Sequence, residues 1–391
     1  MPDKYQNTCT TLLSEGATSR SFRGPGGTEH FITIKAPLNL DFKAQINSVE
    51  EQYKNVQKSL RIDRQTAVFR RVFLSDVLNQ AALIKKSTLV EDTTATSIVQ
   101  QSPLPGSKVE LLAYHIGGPA SLIKKRLSPN HLLVEKNGQR HLWSTQLCTS
   151  DSRSSISAEA QTRETFGNLI ETLEDQGATL QDNCVRTWIF VKDVDLFYKA
   201  MVDSRRQLFA KQNLVDSTHY IASTGIEGAC AHQNDLIAMD AYSNLDLARG
   251  QVSYLSDLER LCPTKKYNVT FERGTRIAYA DRAHCFISGT ASIDKAGDVI
   301  HQGDVMRQLE RALENVDGLL RSCAASLADM MYLIVYLRDP ADFPNVDMYL
   351  RNRFPFLPII IVQGAVCRPA WLVEVEGIGI TRNNEPSLKS F

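Results

Sequence analysis

Two acidic residues late in the chain have the spacing of a candidate catalytic centre. Glu374 and Glu376 alternate with Val373 and Val375, and this period of two is typical of a β-strand with both carboxylates on one face. Two such carboxylates lose hydration free energy unless they line a wet cleft or meet a cation. Arg368, across the preceding turn, can bind a carboxylate through two hydrogen bonds. A glutamate held there would serve as general acid or base, and a structural Arg–Glu pair is the alternative.

Residues near this pair extend the candidate site. Cys367 adjoins Arg368, which would lower the pKa of the thiol, although Cys367 fits equally well as a small pocket wall. Ser288, Gly289 and Thr290 offer backbone N–H groups and hydroxyls to an oxyanion, and a tight strand end is the alternative.

A second group of polar residues falls in the middle of the chain, where it would form the opposing wall of a cleft. Tyr220 and Thr224 are candidate hydroxyl donors to a bound acid, with ordinary loop packing as the alternative. Arg205 and Arg206 lie on a predicted helix and are interpreted as a solvated face, with contact between one of them and an acidic ligand as the alternative.

The elements that must position these residues are clearest between residues 304 and 376. Residues 304–320 carry apolar side chains at helical spacing, with Asp304 as the predicted N-cap. The apolar run at 330–337 ends at Asp339-Pro340 and predicts a buried strand followed by a turn. A second helix near 346–354 then leads to the strand that carries Glu374.

The same order of elements occurs twice more, which indicates an internal repeat. Each copy has a helix with an Asn five residues before a Leu, and then an apolar strand that ends at an Asp. The helix asparagines are Asn55, Asn168 and Asn315, and the strand-end aspartates are Asp76, Asp193 and Asp339. On this alignment Glu374 matches Ala113 in the first copy and Ala238 in the second. An acid present in one copy of three indicates a site retained once and lost twice.

The repeat predicts an α+β fold of three βαβ-rich units packed about a pseudo-threefold axis as a covalent pseudo-trimer. The expected division is a poorly ordered lead-in at 1–27, unit one at 28–117 and unit two at 118–247. A linker at 248–267 and unit three at 268–391 follow, and unit three carries the site. Clefts between neighbouring units are the expected ligand sites. Because the trimer is built into one chain, we expect a monomer or a dimer of pseudo-trimers.

Composition excludes several classes of function. The 44 basic and 44 acidic residues give a formal charge of zero, whereas nucleic-acid binding favours a basic excess. No apolar run is long enough to span a bilayer, and the first 20 residues lack the apolar core of a secretory signal. The eight scattered cysteines contain no metal-ligand spacing, so we expect free thiols in the cytoplasm and neither metal nor cofactor.

The third unit carries a set of motifs that are found together in one protein superfamily. They are the run 287–290, a Gly-Asp pair before a helix with Gln308 and Asn315, the strand ending at Asp339, and Cys-Arg-Pro at 367–369 followed by 372–376. With these motifs the unit resembles the RidA (YjgF) superfamily. RidA proteins are homotrimers with sites at subunit interfaces. The resemblance therefore implies RidA-like (chorismate-mutase-like) units and a fused, diverged trimer.

Within that superfamily, the run 288–293 and the placing of Cys367 before Glu374 are similar to the chorismatases. The resemblance implies an enzyme that adds water to a small anionic metabolite, with Glu374 catalytic. The reaction would be imine or enamine deamination, or chorismatase-like hydrolysis of an enolpyruvyl ether. The alternatives are a non-catalytic small-molecule-binding regulator and, less in keeping with zero net charge, an endoribonuclease or translation inhibitor.

Overall fold

The computed structural model describes residues 8–14, 16–118, 122–149, 157–230, 233–248, 250–264 and 269–391. Parts of the predicted lead-in, unit two and linker, with the first residue of predicted unit three, lie outside the described residues, at 1–7, 15, 119–121, 150–156, 231–232, 249 and 265–268. The described chain forms three six-stranded sheets, and each sheet with its helices is called a unit below.

Unit one combines six strands with two helices. Its strands are β1 (Thr8–Ser14), β2 (Ala17–Gly24), β3 (Gly27–Lys35), β4 (Ala67–Leu74), β5 (Ala95–Gln100) and β6 (Val109–Gly117). Its helices are α1 (Phe42–Leu60) and α2 (Val77–Ile84). Helix α1 begins at Asp41, whose side chain accepts a hydrogen bond from the backbone of Ala44.

Units two and three repeat this plan. Unit two contains β7 (Ile123–Ser128), β8 (His131–Lys136), β9 (Gln139–Leu147), α3 (Ala158–Asp175), α4 (Leu180–Asn183), β10 (Cys184–Val191), α5 (Val194–Lys211), β11 (Ala222–Glu227) and β12 (Ile237–Asn244). Unit three contains β13 (Val252–Tyr254), β14 (Gly274–Ala278), β15 (Arg282–Ala291), α6 (Val305–Arg321), β16 (Met330–Leu337), α7 (Phe343–Arg353), β17 (Ile359–Gln363) and β18 (Val373–Arg382). Single 3₁₀ turns at Leu327–Asp329 and Pro340–Asp342 flank β16.

The three sheets have one strand order. Unit one is ordered β1-β2-β3-β6-β4-β5, unit two β7-β8-β9-β12-β10-β11 and unit three β13-β14-β15-β18-β16-β17. In each sheet the last two strands of this order are parallel and the other pairs are antiparallel. The predicted α+β fold of three like units is confirmed, with six strands in each sheet.

A glutamine in the first turn of the long helix occupies an equivalent position in every unit and can be used to align the three units. Its side-chain oxygen accepts a hydrogen bond from the backbone N–H just before the last strand of the sheet. The pairs are Gln45 with Lys108, Gln161 with Leu236 and Gln308 with Leu372. Counting seven residues on from each glutamine reaches Gln52, Asn168 and Asn315. The predicted equivalence of Asn55 to the other two asparagines is therefore wrong by three residues.

The predicted alignment of the last strands contains the same three-residue error. The last strand pairs with β4 in unit one, β10 in unit two and β16 in unit three. The final residue of that partner strand lies opposite Val109, Ile237 and Val373, respectively. The residue that follows each of these is Glu110, Ala238 or Glu374. The predicted match of Glu374 to Ala113 is thus wrong, and a buried acid occupies this repeat position in two units rather than one.

Each sheet has one face covered by its own helices and one face turned toward the other units. In β6, Val109, Leu111 and Ala113 pack in the core of unit one. Leu112 and Tyr114, on the other face, belong to an apolar cluster that also includes residues of units two and three. The uncovered faces of the three sheets therefore bury one another.

Charged side chains join the units inside this shared interior. Nη2 of Arg71 in unit one donates to Oδ2 of Asp240 in unit two over 2.7 Å. Nη2 of Arg186 in unit two donates to Oε2 of Glu376 in unit three over 2.5 Å, and the hydroxyl of Tyr336 donates to Oε1 of Glu376 over 2.9 Å. All four charged side chains are 1% exposed, and buried charges persist only with such partners.

The sheets extend beyond the predicted unit boundaries. Strands β1 and β2 belong to the first sheet although they fall in the segment 1–27, which was predicted to be a poorly ordered lead-in. Strand β13 pairs with β14 although it falls in the predicted linker 248–267. The edge strands β1 and β13 were mistaken for connections because their polar sequences carry little apolar periodicity, and β2 beside β1 was missed with it. No helix in the described ranges is long and apolar enough to cross a membrane.

Candidate functional site

A cavity of about 220 Å³ lies between units two and three. Helix α5 and strand β11 of unit two form one wall. Strands β15 and β18 of unit three, with the segments that precede β14 and β18, form the other. The side chains that line the cavity include Glu374, three arginines and several apolar groups. An inter-unit cleft of this kind is where the repeat predicts a ligand site.

Strand β18 places Glu374 in this cavity by simple alternation. Val373 and Val375 point into the core of unit three, while Glu374 and Glu376 point to the opposite face, as predicted. The two acids then differ in their partners. Glu376 accepts hydrogen bonds from Arg186, Thr224 and Tyr336, whereas Glu374 forms no hydrogen bond with any described residue.

The surroundings of Glu374 favour its protonated form. Burial raises the pKa of this carboxyl to about 8, and the negative charge of Glu376 adds to the increase. Arg186 and Arg273 oppose the shift without cancelling it. At neutral pH Glu374 is therefore mostly a neutral carboxylic acid that can donate a proton into the cavity.

Arg368 lines the cavity but does not pair with Glu374. Its Nη1 donates to the carbonyl oxygen of Gly297 over 2.9 Å, and its guanidinium lies 4.6 Å from the centre of the Trp371 ring. No ion pair between described residues joins Arg368 to Glu374. The predicted Arg–Glu pair is wrong because Trp371 and Gly297 hold the guanidinium on a different part of the wall.

Arg205 is the cation that the sequence did not locate. It was interpreted as part of a solvated face with Arg206, yet Arg205 is 2% exposed and lines the cavity. Its Nε donates to Oγ1 of Thr270 over 2.9 Å, and its Nη1 donates to Oγ of Ser223 over 3.4 Å. Its Nη2 is buried without a hydrogen-bond partner among the described residues. A buried guanidinium with an unused donor is suited to an anionic ligand.

The helix pattern contained a signal for Arg205. In α5, Met201, Arg205 and Phe209 recur at intervals of four, and all three are buried. Spacing of this kind places them on one helix face, so Arg205 shares the inward side of α5 rather than its solvent side. Arg273 had no comparable signal, because it lies in the irregular segment before β14, where its Nη2 donates to the carbonyl of Cys262 over 3.1 Å.

Cys367 is a wall of the cavity and not a reactive thiolate. Burial raises the pKa of its thiol to about 12, and the nearby Glu374 adds to the increase. Arg368 lowers the pKa by less than burial raises it. The predicted lowering of the Cys367 pKa is wrong, because desolvation dominates at this position.

Among residues 288–290, Gly289 lines the cavity and its neighbours do not. Ser288 donates to the carbonyl of Glu272 over 2.6 Å, and Thr290 donates to the carbonyl of Ser288 over 2.9 Å. The backbone N–H of Gly289 donates to Oγ1 of Thr224 over 2.9 Å. The Gly289 donor joins units two and three, whereas the two hydroxyls donate within unit three. None of these donors points at a ligand as an oxyanion hole would.

The two residues of unit two that were predicted to donate hydroxyl groups to a ligand, Thr224 and Tyr220, lie in different places in the fold. Thr224 lines the cavity and links Gly289 to the Arg186–Glu376 pair. Tyr220 lies outside the cavity lining, where its hydroxyl donates to Asp216 over 3.0 Å. Of the predicted site residues, the cavity therefore brings together Glu374, Arg368, Cys367, Gly289 and Thr224.

Sequence comparisons agree with the geometry of unit three. The family model for endoribonuclease L-PSP matches residues 275–381. The 3-aminoacrylate deaminase RutC of Acinetobacter baylyi is 30% identical over 95 residues, which cover 24% of this chain and 75% of that protein. The chain belongs to the RutC/RidA superfamily. A RutC family protein of Pyrococcus abyssi is 36% identical over 62 residues, which cover 16% of this chain and 49% of that protein.

Structural comparison extends the likeness beyond the third unit. A crystal structure of a chorismatase superposes with a TM-score of 0.63 at 17% identity, covering 92% of this chain and 100% of that one. The similarity shows a shared fold across all three units. The chain is thus a three-unit, fused member of the RutC/RidA superfamily.

Proposed function

We propose that this protein is an enzyme that hydrolyses the enolpyruvyl ether of a small cyclic carboxylic acid, with Glu374 as proton donor. The observation that carries the proposal is a neutral carboxyl group without a hydrogen-bond partner among the described residues, set in a cavity that also contains the unused Nη2 donor of Arg205. An acid with a pKa of about 8 can both release and recover a proton near neutral pH.

The cavity walls suit a ring that bears carboxylates. Arg205 offers a charge-assisted hydrogen bond to one carboxylate, and Arg368 carries a second positive charge on the wall of unit three. Phe271, Ile293 and Trp371 supply apolar surface against which the ring would pack. Three-carbon imino acids would leave most of this apolar surface uncovered, which is why the ether is preferred.

The proposed reaction begins with transfer of the proton held by the carboxyl group of Glu374. Glu374 protonates the methylene carbon of the enol ether, and the ether carbon becomes an oxocarbenium ion. Water adds to that carbon and returns a proton to the Glu374 carboxylate. The resulting hemiketal collapses to pyruvate and the ring alcohol, so one water is consumed and Glu374 is regenerated.

Hydrolysis of an enamine is the second candidate, and the match of unit three to an enamine deaminase favours it. The same acid would protonate the enamine carbon, water would add to the iminium carbon, and ammonia would leave. The two reactions share Glu374 and differ in their products.

The decisive experiment supplies chorismate or 3-aminoacrylate and measures pyruvate and ammonium release. We expect pyruvate from chorismate, and about a 100-fold to 10,000-fold loss of turnover in Glu374→Gln, which keeps the side-chain shape. Glu310→Gln, on the exposed side of α6, is the matched control and should retain full turnover. Ammonium release without pyruvate would assign the second reaction, and full activity of Glu374→Gln would disprove the proposal.

A further inference from the structure

A second cavity, of about 120 Å³, lies between units three and one. Helix α7 and strand β17 of unit three form one wall, with Leu350, Arg351 and Ile361 among its residues. Strands β2 and β3 of unit one form the other wall, with Thr18 and Lys35. None of these residues belongs to the cavity that holds Glu374.

The second cavity occupies the same place in the repeat as the first. In the first, the last helix and the edge strand of unit two, α5 and β11, face the third strand of unit three, β15. In the second, the corresponding α7 and β17 of unit three face the corresponding strand β3 of unit one. Glu374 is directly opposite Ala291 across the sheet, and Glu110 is directly opposite Lys35. The pseudo-threefold arrangement therefore brings a buried acid and an inter-unit cavity together twice.

Lys35 gives the second cavity a net positive charge, because Arg351 is paired with Asp347 and all three side chains line the cavity. The ammonium of Lys35 forms no hydrogen bond or ion pair with a described residue, and the side chain is half-buried at the cavity wall. Arg351 donates through Nε to Asp347 over 2.6 Å, so that pair is close to neutral. The cavity thus offers the cation of Lys35 beside a guanidinium.

Glu110 lies opposite Lys35 on the neighbouring strand and does not fully neutralise the charge of these cations. It is 1% exposed, and its Oε2 has no hydrogen-bond partner among the described residues. Burial raises the pKa of this carboxyl to about 7, with Asp347 adding to the increase and with Lys35 and Arg351 opposing it. Near neutral pH a large share of the molecules therefore carries a neutral carboxyl at this position.

We propose that this cavity is a second ligand site, which binds a small monocarboxylic acid with an apolar body. The carboxylate contacts Lys35 and the guanidinium of Arg351, and the body packs against Leu350, Phe354 and Leu357, which line the same wall. The site is separate from the proposed reaction and does not depend on it.

Benzoate is the probe, because it joins one carboxylate to an apolar ring. Calorimetric titration would be run on Arg205→Met, in which the Glu374 cavity has lost one of its three arginines. We expect benzoate to bind this variant, and Lys35→Met in the same background to weaken binding about tenfold or more through loss of a charge-assisted contact. Lys54→Met, on the exposed side of α1, is the matched control and should leave the affinity unchanged.

Crystals of the wild-type protein soaked in benzoate provide the second measurement. Density between Lys35 and Phe354 is expected, whatever the outcome of the turnover assays with chorismate. The proposal is overturned if Arg205→Met binds no benzoate at millimolar concentration, if Lys35→Met binds as tightly as its background, or if benzoate appears in the Glu374 cavity alone. Circular dichroism checks that each variant is folded.

Discussion

Gly289 leaves room for the carboxyl group of Glu374. A Cβ atom at position 289 would lie 2.1 Å from Oε1 of Glu374 and 3.0 Å from Cγ2 of Thr224. Since real non-bonded contacts to a Cβ are longer than 3.0 Å, no residue other than glycine fits without moving the acid. The position of the proposed proton donor therefore depends on glycine, which has no side chain, at position 289 of the neighbouring strand β15.

The first prediction follows from this contact. Gly289→Ala should displace the carboxyl of Glu374 and lower kcat by about tenfold or more, because a misplaced acid loses its alignment with the substrate. Gly167→Ala is the control, since a Cβ there meets no atom within 4 Å and alanine is favoured inside helix α3. Steady-state kinetics and melting curves on both variants provide the measurement. Unchanged kcat in a folded Gly289→Ala would contradict the predicted dependence.

The second prediction concerns pH and stability. The pKa of Glu374 rises from about 4.5 to about 8 on folding, so the folded state holds this proton more tightly than the unfolded chain does. The resulting stability is fully present below about pH 4.5 and is lost as the pH rises through about 8. Glu374→Gln cannot titrate, and its free energy of unfolding should fall less between these pH values. Denaturant unfolding across the range, beside Glu310→Gln, measures the difference, and parallel curves would refute it.

The third prediction separates two adjacent arginines. Arg205→Met should raise KM for an anionic substrate about 10-fold to 100-fold, the range expected for a lost hydrogen bond between charged groups. The fold should persist, because no carboxylate of the described chain pairs with Arg205 and methionine preserves the apolar part of the side chain. Arg206→Met removes a half-exposed arginine that pairs with Asp203, and should leave KM unchanged. Equal effects of the two substitutions would remove Arg205 from the site.

The fourth prediction concerns assembly. The faces that three separate subunits would bury against one another are already buried within one chain. Sedimentation should therefore show one chain or a pair of chains, as the repeat predicted. A particle of three chains would count against the covalent pseudo-trimer as the functional unit.

The sequence predicted the repeat but aligned unit one three residues out of register. In helix α1 the error is hard to detect, because a shift of three nearly completes a turn and keeps apolar residues on the same face. In the last strand the same shift exchanges the two faces, since side chains there alternate with a period of two. Ala113, which packs against α1, was therefore compared with Glu374 in place of Glu110.

The cavity was predicted less completely than the fold, because half of it belongs to another unit. Glu374 could be found from its own strand, because its alternation with valines shows which face of the sheet its side chain occupies. The contribution of Arg205 depends on how α5 of unit two meets β15 of unit three, and no spacing within either segment encodes that meeting. The same limit applies to Ser288, whose hydroxyl accepts a hydrogen bond from the backbone of Ser223 in unit two, and to Tyr220, whose hydroxyl donates to Asp216 within unit two. Neither residue lines the cavity.

The buried ion pairs between units determine how cooperatively the protein unfolds. If unit three separated alone, Glu376 would leave Arg186 without its carboxylate inside an apolar interior, which is strongly unfavourable. The loss of unit one would do the same to Asp240, because Arg71 would leave with that unit. No unit can therefore melt while the others persist, and calorimetry of this triplicated chain should show one cooperative transition with equal calorimetric and van't Hoff enthalpies.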